Sequence, residues 1–598
     1  MSKPPFAPPR APSVDDLLRA GLQLHQAGRV DEARTYYERV LQQDGRHPAA
    51  NHLLGLVFLA RGDASRAIDF IGRAVKARPG DAQYLGNLGV ALNAASRHKE
   101  AVEALARAVS INPGFAEAYS NLGMAYRALM RLDDAVAAYS SAIELRPNEP
   151  GFHANLGNTL RDLGDVLAAE QTYRRALVLQ PGHPGAAQGL GGLLDDRWAA
   201  AEGLEIVDQA LAGAARHPQL HVRRGRLLQN LGRLQEAVAQ YDRAIELNPN
   251  LGEPYQHRAN LLLRDGDAHD IPAMERLFAD AAAPLEDRVF AGFGLGQALA
   301  WSGDHRASVE VFQSANRLHR QKIEFSLERA TQELEASYDE SLQPSAVSHT
   351  NTSGDTPAIF IVGLPRAGKS TVEAILARHP DTAPMGELPI FGRLFARYAR
   401  KAAPDLRPEE QPELMRQLGQ DYLDEARRLS GSSKTIIDTL PSNYRLIAAI
   451  SNALPAARII WCERAPTEHC IGIFEKYLVG RGHEYAFDLD ELVPYHAAYR
   501  QLLKRWQARA LPALRVMDVA RLRQDRLAET RELLTFCGLS WNDACLADVE
   551  SEPLLTDWTA ETRAANRAEH LAAWCSARPD VFPIEAGKGP SGGPALTR

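Results

Sequence analysis

Residues 363–371 read Gly-Leu-Pro-Arg-Ala-Gly-Lys-Ser-Thr, set between the apolar run Ala358-Ile359-Phe360-Ile361-Val362 and the helical pattern Val372-Glu373-Ala374-Ile375-Leu376-Ala377. Glycines let a backbone approach an anion closely, a turn of this kind aims several N–H groups inward, and the helix after it adds its positive end. The chemistry this composition serves is the holding of a phosphate. The string also satisfies G-x-x-x-x-G-K-[ST], the pattern of nucleoside triphosphate enzymes. On that reading Lys369 would serve the phosphates and Asp438 would organise magnesium, giving an ATP-dependent kinase or ATPase. Arg366 inside the loop, Glu387 and Arg464 are not required by that pattern.

For such residues to meet, strands must deliver their loops to one edge. Beyond residue 357 the runs 358–362, 434–438 and 458–462 are short and apolar and alternate with helical stretches. This predicts an α/β domain with a mostly parallel sheet and a ligand site at the carboxyl ends of its strands. The segment 341–357 is rich in Ser, Thr, Pro and Gly, lacks periodicity, and reads as a linker.

The first half of the chain is built differently. A small residue recurs every 34 positions, at Gly21, Gly55, Gly89, Gly123, Gly157, Gly191, Gly225 and Ala259. A second register holds Ala33, Ala67, Ala101, Ala135, Ala169 and Ala237, and a third holds Pro79, Pro113, Pro147, Pro181 and Pro249. Period and pattern resemble the tetratricopeptide repeat, a pair of antiparallel helices that stack into an all-α solenoid. About eight units are expected over 15–268, with a weak further pair around Gly296 to Ala315. The sixth is degraded, with Gly203 at the alanine position and no proline at 215. Two residues before the small position stand Asn87, Asn121 and Asn155, then Gly189, Arg223 and His257. In peptide-binding arrays that this one resembles, such asparagines grip an extended backbone, so a protein or peptide client on the concave surface is implied.

The bulk numbers set outer bounds. A chain of 598 residues implies several domains, and 68 Lys+Arg against 75 Asp+Glu gives a formal charge of −7, which offers no general invitation to nucleic acid or membrane. Cys462, Cys470, Cys537, Cys545 and Cys575 form no C-x-x-C pair, so no metal site is expected and a reducing cytoplasm fits. No apolar stretch approaches the roughly 20 residues of a membrane span.

Read together, the segments after the linker resemble bacterial sulfotransferases with N-terminal tetratricopeptide repeats and, more distantly, tyrosylprotein sulfotransferases. The likeness rests on Gly363, Leu364, Pro365, Arg366, Gly368, Ser370 and Thr371, then His379-Pro380, Gly386-Glu387, the block Asp438, Pro441, Asn443, and the block Arg458 to Phe474 containing Arg464, Pro466 and Cys470. The resemblance implies transfer of a sulfuryl group from 3′-phosphoadenosine 5′-phosphosulfate to a hydroxyl, perhaps of protein tyrosine, without a metal. It implies that Gly363, Pro365, Arg366, Ala367, Gly368, Lys369, Ser370 and Thr371 hold the 5′-phosphosulfate, with Arg366 stabilising the leaving group. Glu387 takes the position of the base, and Arg464, with Gly472 nearby, that of the 3′-phosphate site.

Three departures stand out. The loop threonine of the family is Lys369, the lysine after the second-strand aspartate is Thr439, and the serine that partners the 3′-phosphate arginine is Gly472. They leave open the kinase reading and that of an inactive interaction scaffold. His379, His483 and Asp438 read as structural. The expected organisation is an N-terminal segment 1–14, repeats 15–268, a helical cap 269–340, the linker 341–357, the transferase domain 358–575, with Ser551–Trp574 a poor match, and a disordered tail 576–598.

Overall fold

The computed structural model describes residues 12–263, 270–338, 356–400, 411–478, 480, 482–547, 555–556 and 560–582. Residues 1–11 of the expected N-terminal segment, 341–355 of the expected linker and 583–598 of the expected tail lie outside them; residues 576–582 of that tail are described, and Phe582 is buried. The chain forms two compact units, Met1–Gly189 and Leu190–Arg598.

Unit one holds five helix pairs, from Val14–Gln26 with Val30–Gln43 to Pro150–Leu163 with Val166–Leu179. The 34-residue period has a direct steric cause. A Cβ at Gly21, Gly55, Gly89, Gly123 or Gly157 would collide with Tyr37, Ile71, Leu105, Tyr139 or Tyr173, in each case the residue sixteen places on in the second helix of the same pair. The large side chain fills the groove that the missing Cβ leaves, which is close packing of the kind interiors require. Ala33, Ala67, Ala101, Ala135 and Ala169 are fully buried. Helices end at Ala77, Ile111, Leu145 and Leu179, two residues before Pro79, Pro113, Pro147 and Pro181, as expected of a residue that cannot continue a helix.

A further register is marked by glycine in only some of the units. The turn between paired helices is left-handed at Gly28, Gly62, Ser96, Met130 and Gly164, with φ of 75°, 77°, 58°, 58° and 80°. Only glycine takes this conformation without steric cost. Ser96 is exposed, so Ser96→Gly should raise the unfolding free energy of unit one by about 0.5–1 kcal/mol, read as a higher denaturant midpoint at constant m-value.

Unit two continues the rule and then departs from it. Gly191 faces Val207, Gly225 faces Tyr241, and Gly296 faces Phe312. The weak pair expected from the sequence, Leu285–Trp301 with His305–Arg320, therefore packs like a repeat. It also docks on the α/β part of the chain. Asn316 donates to the Phe474 carbonyl at 2.9 Å, Arg320 makes a two-pronged pair with Glu491 at 2.7 and 2.8 Å, and Asn566 donates to the Ala300 carbonyl at 3.2 Å.

The main sheet of unit two has five strands among the described residues: β1 (Ala358–Val362), β2 (Thr382–Pro384), β3 (Thr435–Asp438), β4 (Arg458–Glu463) and β5 (Leu514–Asp518). Their order is β2-β3-β1-β4-β5 and every pairing is parallel. β1 is buried on both faces. Ile359 and Ile361 join Val372, Ile375, Leu376 and Leu533 on one side, while Phe360 packs on Phe391 and Tyr422 on the other. The five cysteines are buried with free thiols. No described helix is long and apolar enough to cross a membrane.

Candidate active site

The loop 363–368 leaves the central strand and runs into α1 (Lys369–Leu376), so the loop sits at the carboxyl edge where the order of a parallel sheet branches. Three of its residues have positive φ: Gly363 at 140°, Arg366 at 67° and Gly368 at 92°. At Gly368 a Cβ would overlap Val519, which closes that position to any larger residue.

The loop is braced from behind. Lys369 Nζ donates to the Leu364 carbonyl at 3.1 Å, His469 Nε2 to the Pro365 carbonyl at 2.9 Å, and Arg464 Nη1 to the Arg366 carbonyl at 3.5 Å. His469 can only donate to a carbonyl; in the neutral ring its Nδ1 then accepts, and His496 Nε2–H lies at 3.0 Å to supply that bond. Burial favours the neutral form of both imidazoles: it pulls the pKa of His469 far down and that of His496 to about 4. An unfolded histidine gains its proton near 6.5, so between about 6.5 and 4 the unfolded chain binds more protons and stability falls as pH falls. Glu373, raised to about 7 mainly by burial, works in the opposite sense over that range. The difference between wild type and His496→Gln isolates the histidine share. The variant should lose on the order of 2 kcal/mol of the acid-side decline between pH 6.5 and 4.5, measured by urea unfolding at stepped pH.

A cavity of about 330 Å³ lies over the loop, lined by Pro365, Arg366, Gly368, Lys369, Ser370, Thr371, Glu387 and Arg464, together with Lys476 and His483. Eight of the site residues expected from the sequence thus share one space. Gly363 and Ala367 lie behind the loop; Gly363 donates to the Pro441 carbonyl at 3.5 Å and Ala367 is fully buried in the core. Gly472 borders an adjoining cavity. Ser370, at the start of α1, is exposed to the cavity.

Glu387 is held by its neighbour. Gly386, at φ 69°, donates its N–H to Glu373 Oε1 at 3.2 Å and accepts from the Thr439 N–H at 3.0 Å. Its α-carbon faces the Asp196 carbonyl so closely that a Cβ would overlap it. Asp196 ends the first helix of the degraded sixth repeat, Pro184–Asp196, so the end of that helix backs Glu387. The turn after it is left-handed at Trp198, with φ of 60°. Arg197 donates to the Leu429 carbonyl.

Glu387 itself reaches the solvent of the cavity, yet protein crowds it at slightly longer range. That burial raises its pKa, Lys369 opposes the shift, and Asp196 adds to it. Lys369 is buried and its pKa is lowered by burial, with Glu387 counteracting. Asp438 is buried and takes bonds from Tyr422 Oη, Asn443 Nδ2 and the Leu440 N–H at 3.0, 3.0 and 3.1 Å; burial pushes it to about 7. It orients a loop, as the sequence implied. His379 does likewise, bonding the Ser540 carbonyl at 2.9 Å.

Three residues on the cavity walls have no part assigned by the sequence pattern. His483, expected to be structural, lines the cavity with a pKa pulled to about 4, by burial and then by Lys369. Lys476 and Arg567 belong to no motif. Arg567 is placed by Glu475, which accepts from Arg567, His570 and Trp574 at 2.8, 2.6 and 2.6 Å. Burial would raise that carboxyl, but the cationic partners hold it at about 2.

A glycine-bearing loop on the central strand of a parallel sheet, with a carboxylate and arginines on the same cavity, characterises this α/β domain. Residues 357–543 match the model described as "Sulfotransferase family". Residues 24–88, 82–115, 116–149, 153–185 and 218–251 match tetratricopeptide repeat models. The chain joins a domain that matches the sulfotransferase family to a tetratricopeptide array.

Among curated proteins, an uncharacterized protein of Aquifex aeolicus (strain VF5) is 25% identical over 338 residues, covering 54% of this chain and 43% of the relative. The chain therefore matches less than half the length of that relative. Solved structures similar to it include MamA (26% identity, 27% of this chain and 94% of that one, TM-score 0.26) and YrrB, described as a TPR protein with an unusual peptide-binding site (23%, 29% and 90%, 0.27). Pseudomonas aeruginosa PilF is similar at 20% identity over 38% and 97% of the two chains, TM-score 0.30.

Proposed function

We propose that this chain moves a sulfuryl group from 3′-phosphoadenosine 5′-phosphosulfate to a hydroxyl, with a protein tyrosine as acceptor and the repeats as the element that recruits it. One observation carries the reading: Arg366, Lys369, Ser370, Thr371 and Arg464 share a single cavity with Glu387. Anion-binding groups and a carboxylate are what this reaction needs in one place.

The residues present fit such a donor. Ser370 faces the cavity at a helix N-terminus, and the left-handed Gly368 leaves the loop backbone open to an anion. When bound, the donor supplies a sulfuryl group whose S–O bond to phosphate breaks as the acceptor oxygen bonds to sulfur. Glu387 takes the acceptor's proton. Arg366 and Lys369 neutralise the charge that collects on the departing phosphate oxygen, and Arg464 holds the 3′-phosphate. Asn87, Asn121 and Asn155 are half-buried on the first helices of three successive repeats, which supports a peptide client.

Asp438 counts against the triphosphate reading. Its oxygens are enclosed by Tyr422, Asn443 and Leu440, whereas magnesium chemistry would want them in the cavity. The test is calorimetric titration with 3′-phosphoadenosine 5′-phosphate, and separately with ATP and magnesium, on wild type and Arg464→Ala. Micromolar binding of the bisphosphate that is lost in the variant is the expected result. Magnesium-dependent ATP binding that needs Lys369 would overturn it, and silence toward both ligands would favour a scaffold.

A further inference from the structure

A second cavity, of about 430 Å³, adjoins the loop and is lined by the α/β part, by two repeats and by the helix Leu285–Trp301. From the α/β part come Arg366, Arg464, Gly472, Lys476 and Arg567; from the first helices of repeats seven and eight, Pro218–Asn230 and Glu253–Leu261, come Arg226, His257 and Asn260. All belong to unit two. His257 stands at the repeat position that carries Asn87, Asn121 and Asn155 in the earlier units. The register that offers amides to a client there offers an imidazole to the transferase cavity here.

The charge on this wall is one-sided. Five cations, Arg226, Arg366, Arg464, Lys476 and Arg567, face two acids, Glu468 and Glu475. Glu475 is already committed to Arg567, His570 and Trp574, and Glu468 lies 3.5 Å from Arg464. Asp195, at 3.8 Å from Arg226, holds that guanidinium at the wall. An enclosed cationic surface of this kind favours a dianion. It also lies where the serine hydroxyl implied by the resemblance is missing: a Cβ on Gly472 would have only the Arg366 Cβ nearby, at 3.8 Å.

We propose that repeats seven and eight are part of the donor site. Resting on the sulfotransferase reading, the proposal is that Arg226, with His257 and Asn260 beside it, contacts the 3′-phosphate end of the nucleotide and replaces the contact that Gly472 cannot make. The array is then a wall of the catalytic cleft as well as a recruiting arm.

The experiment titrates the full chain with 3′-phosphoadenosine 5′-phosphate and with adenosine 5′-phosphate, which lacks the 3′-phosphate. Wild type, Arg226→Ala, Arg226→Glu, Arg464→Ala and the surface control Arg233→Ala are compared, with thermal melting to verify folding of each. Arg226→Ala should weaken the bisphosphate about tenfold, Arg226→Glu more, with adenosine 5′-phosphate changed less than twofold and Arg233→Ala like wild type. Should both Arg226 variants bind the bisphosphate normally while Arg464→Ala does not, the donor reading stands and this proposal falls. Equal losses for both nucleotides would also overturn the 3′-phosphate assignment. Silence of wild type toward the bisphosphate would remove the donor reading and this proposal together. If Arg226→Glu fails to fold, Arg226→Ala still decides.

Discussion

Glu387→Gln is expected to lower kcat for sulfuryl transfer by about 10²–10⁴-fold while leaving the affinity for 3′-phosphoadenosine 5′-phosphate within about twofold of wild type. Glutamine keeps the shape and loses the ability to accept a proton, so only a step in which Glu387 is the base is affected. Because Glu387 reaches the cavity solvent, the change removes no packing. The pH dependence gives a second readout. Burial raises the carboxyl's pKa above its ordinary value, and a base acts only when deprotonated, so kcat/KM should rise with pH through that raised pKa and level off above it. The variant should lack this rise. Equal loss of nucleotide affinity and kcat would assign Glu387 to binding instead.

Gly386→Ala should be nearly as harmful, for a reason outside the chemistry. The residue has φ 69° and its α-carbon abuts the Asp196 carbonyl. An alanine there meets both left-handed strain and a backbone atom that cannot rotate away, together costing on the order of 2–4 kcal/mol of stability. The strain is relieved by moving the 385–388 segment off Asp196, which carries Glu387 with it. A displacement near 1 Å at a reacting group costs about 10²-fold in rate. The expected result is a kcat loss with bisphosphate binding kept, and a lower melting temperature that Glu387→Gln does not show. An unaltered melting temperature would mean that Asp196 does not back this loop.

Much of this was legible in the chain itself. The repeat period declared the array because each glycine answers a large residue sixteen places on, a constraint that any homologous unit must repeat. The three strands with continuous apolar runs were visible because they are buried on both faces. β2, three residues with a proline, and β5, half-exposed at the sheet edge, lack that signal. The loop 363–371 could be read because anion binding needs glycine and hydroxyl residues at fixed spacing. Lys476, His483 and Arg567 could not, since they reach the cavities by tertiary packing and obey no local pattern. Arg567 in particular is delivered by a buried carboxylate, Glu475, almost a hundred residues earlier. The left-handed turn register was hidden because Ser96, Met130 and Trp198 occupy it in place of glycine.

The meeting of Asp196 with Gly386 bears on how this protein can be taken apart. A composition break at 341–357 invites a cut there, yet a fragment beginning at residue 358 would leave behind the carbonyl that backs Glu387 and the arginine at the second cavity. The compact unit that holds both the loop and Asp196 begins at Leu190, in the middle of a repeat helix. A fragment meant to keep the proposed site intact therefore retains the sixth, seventh and eighth repeats together with the α/β part.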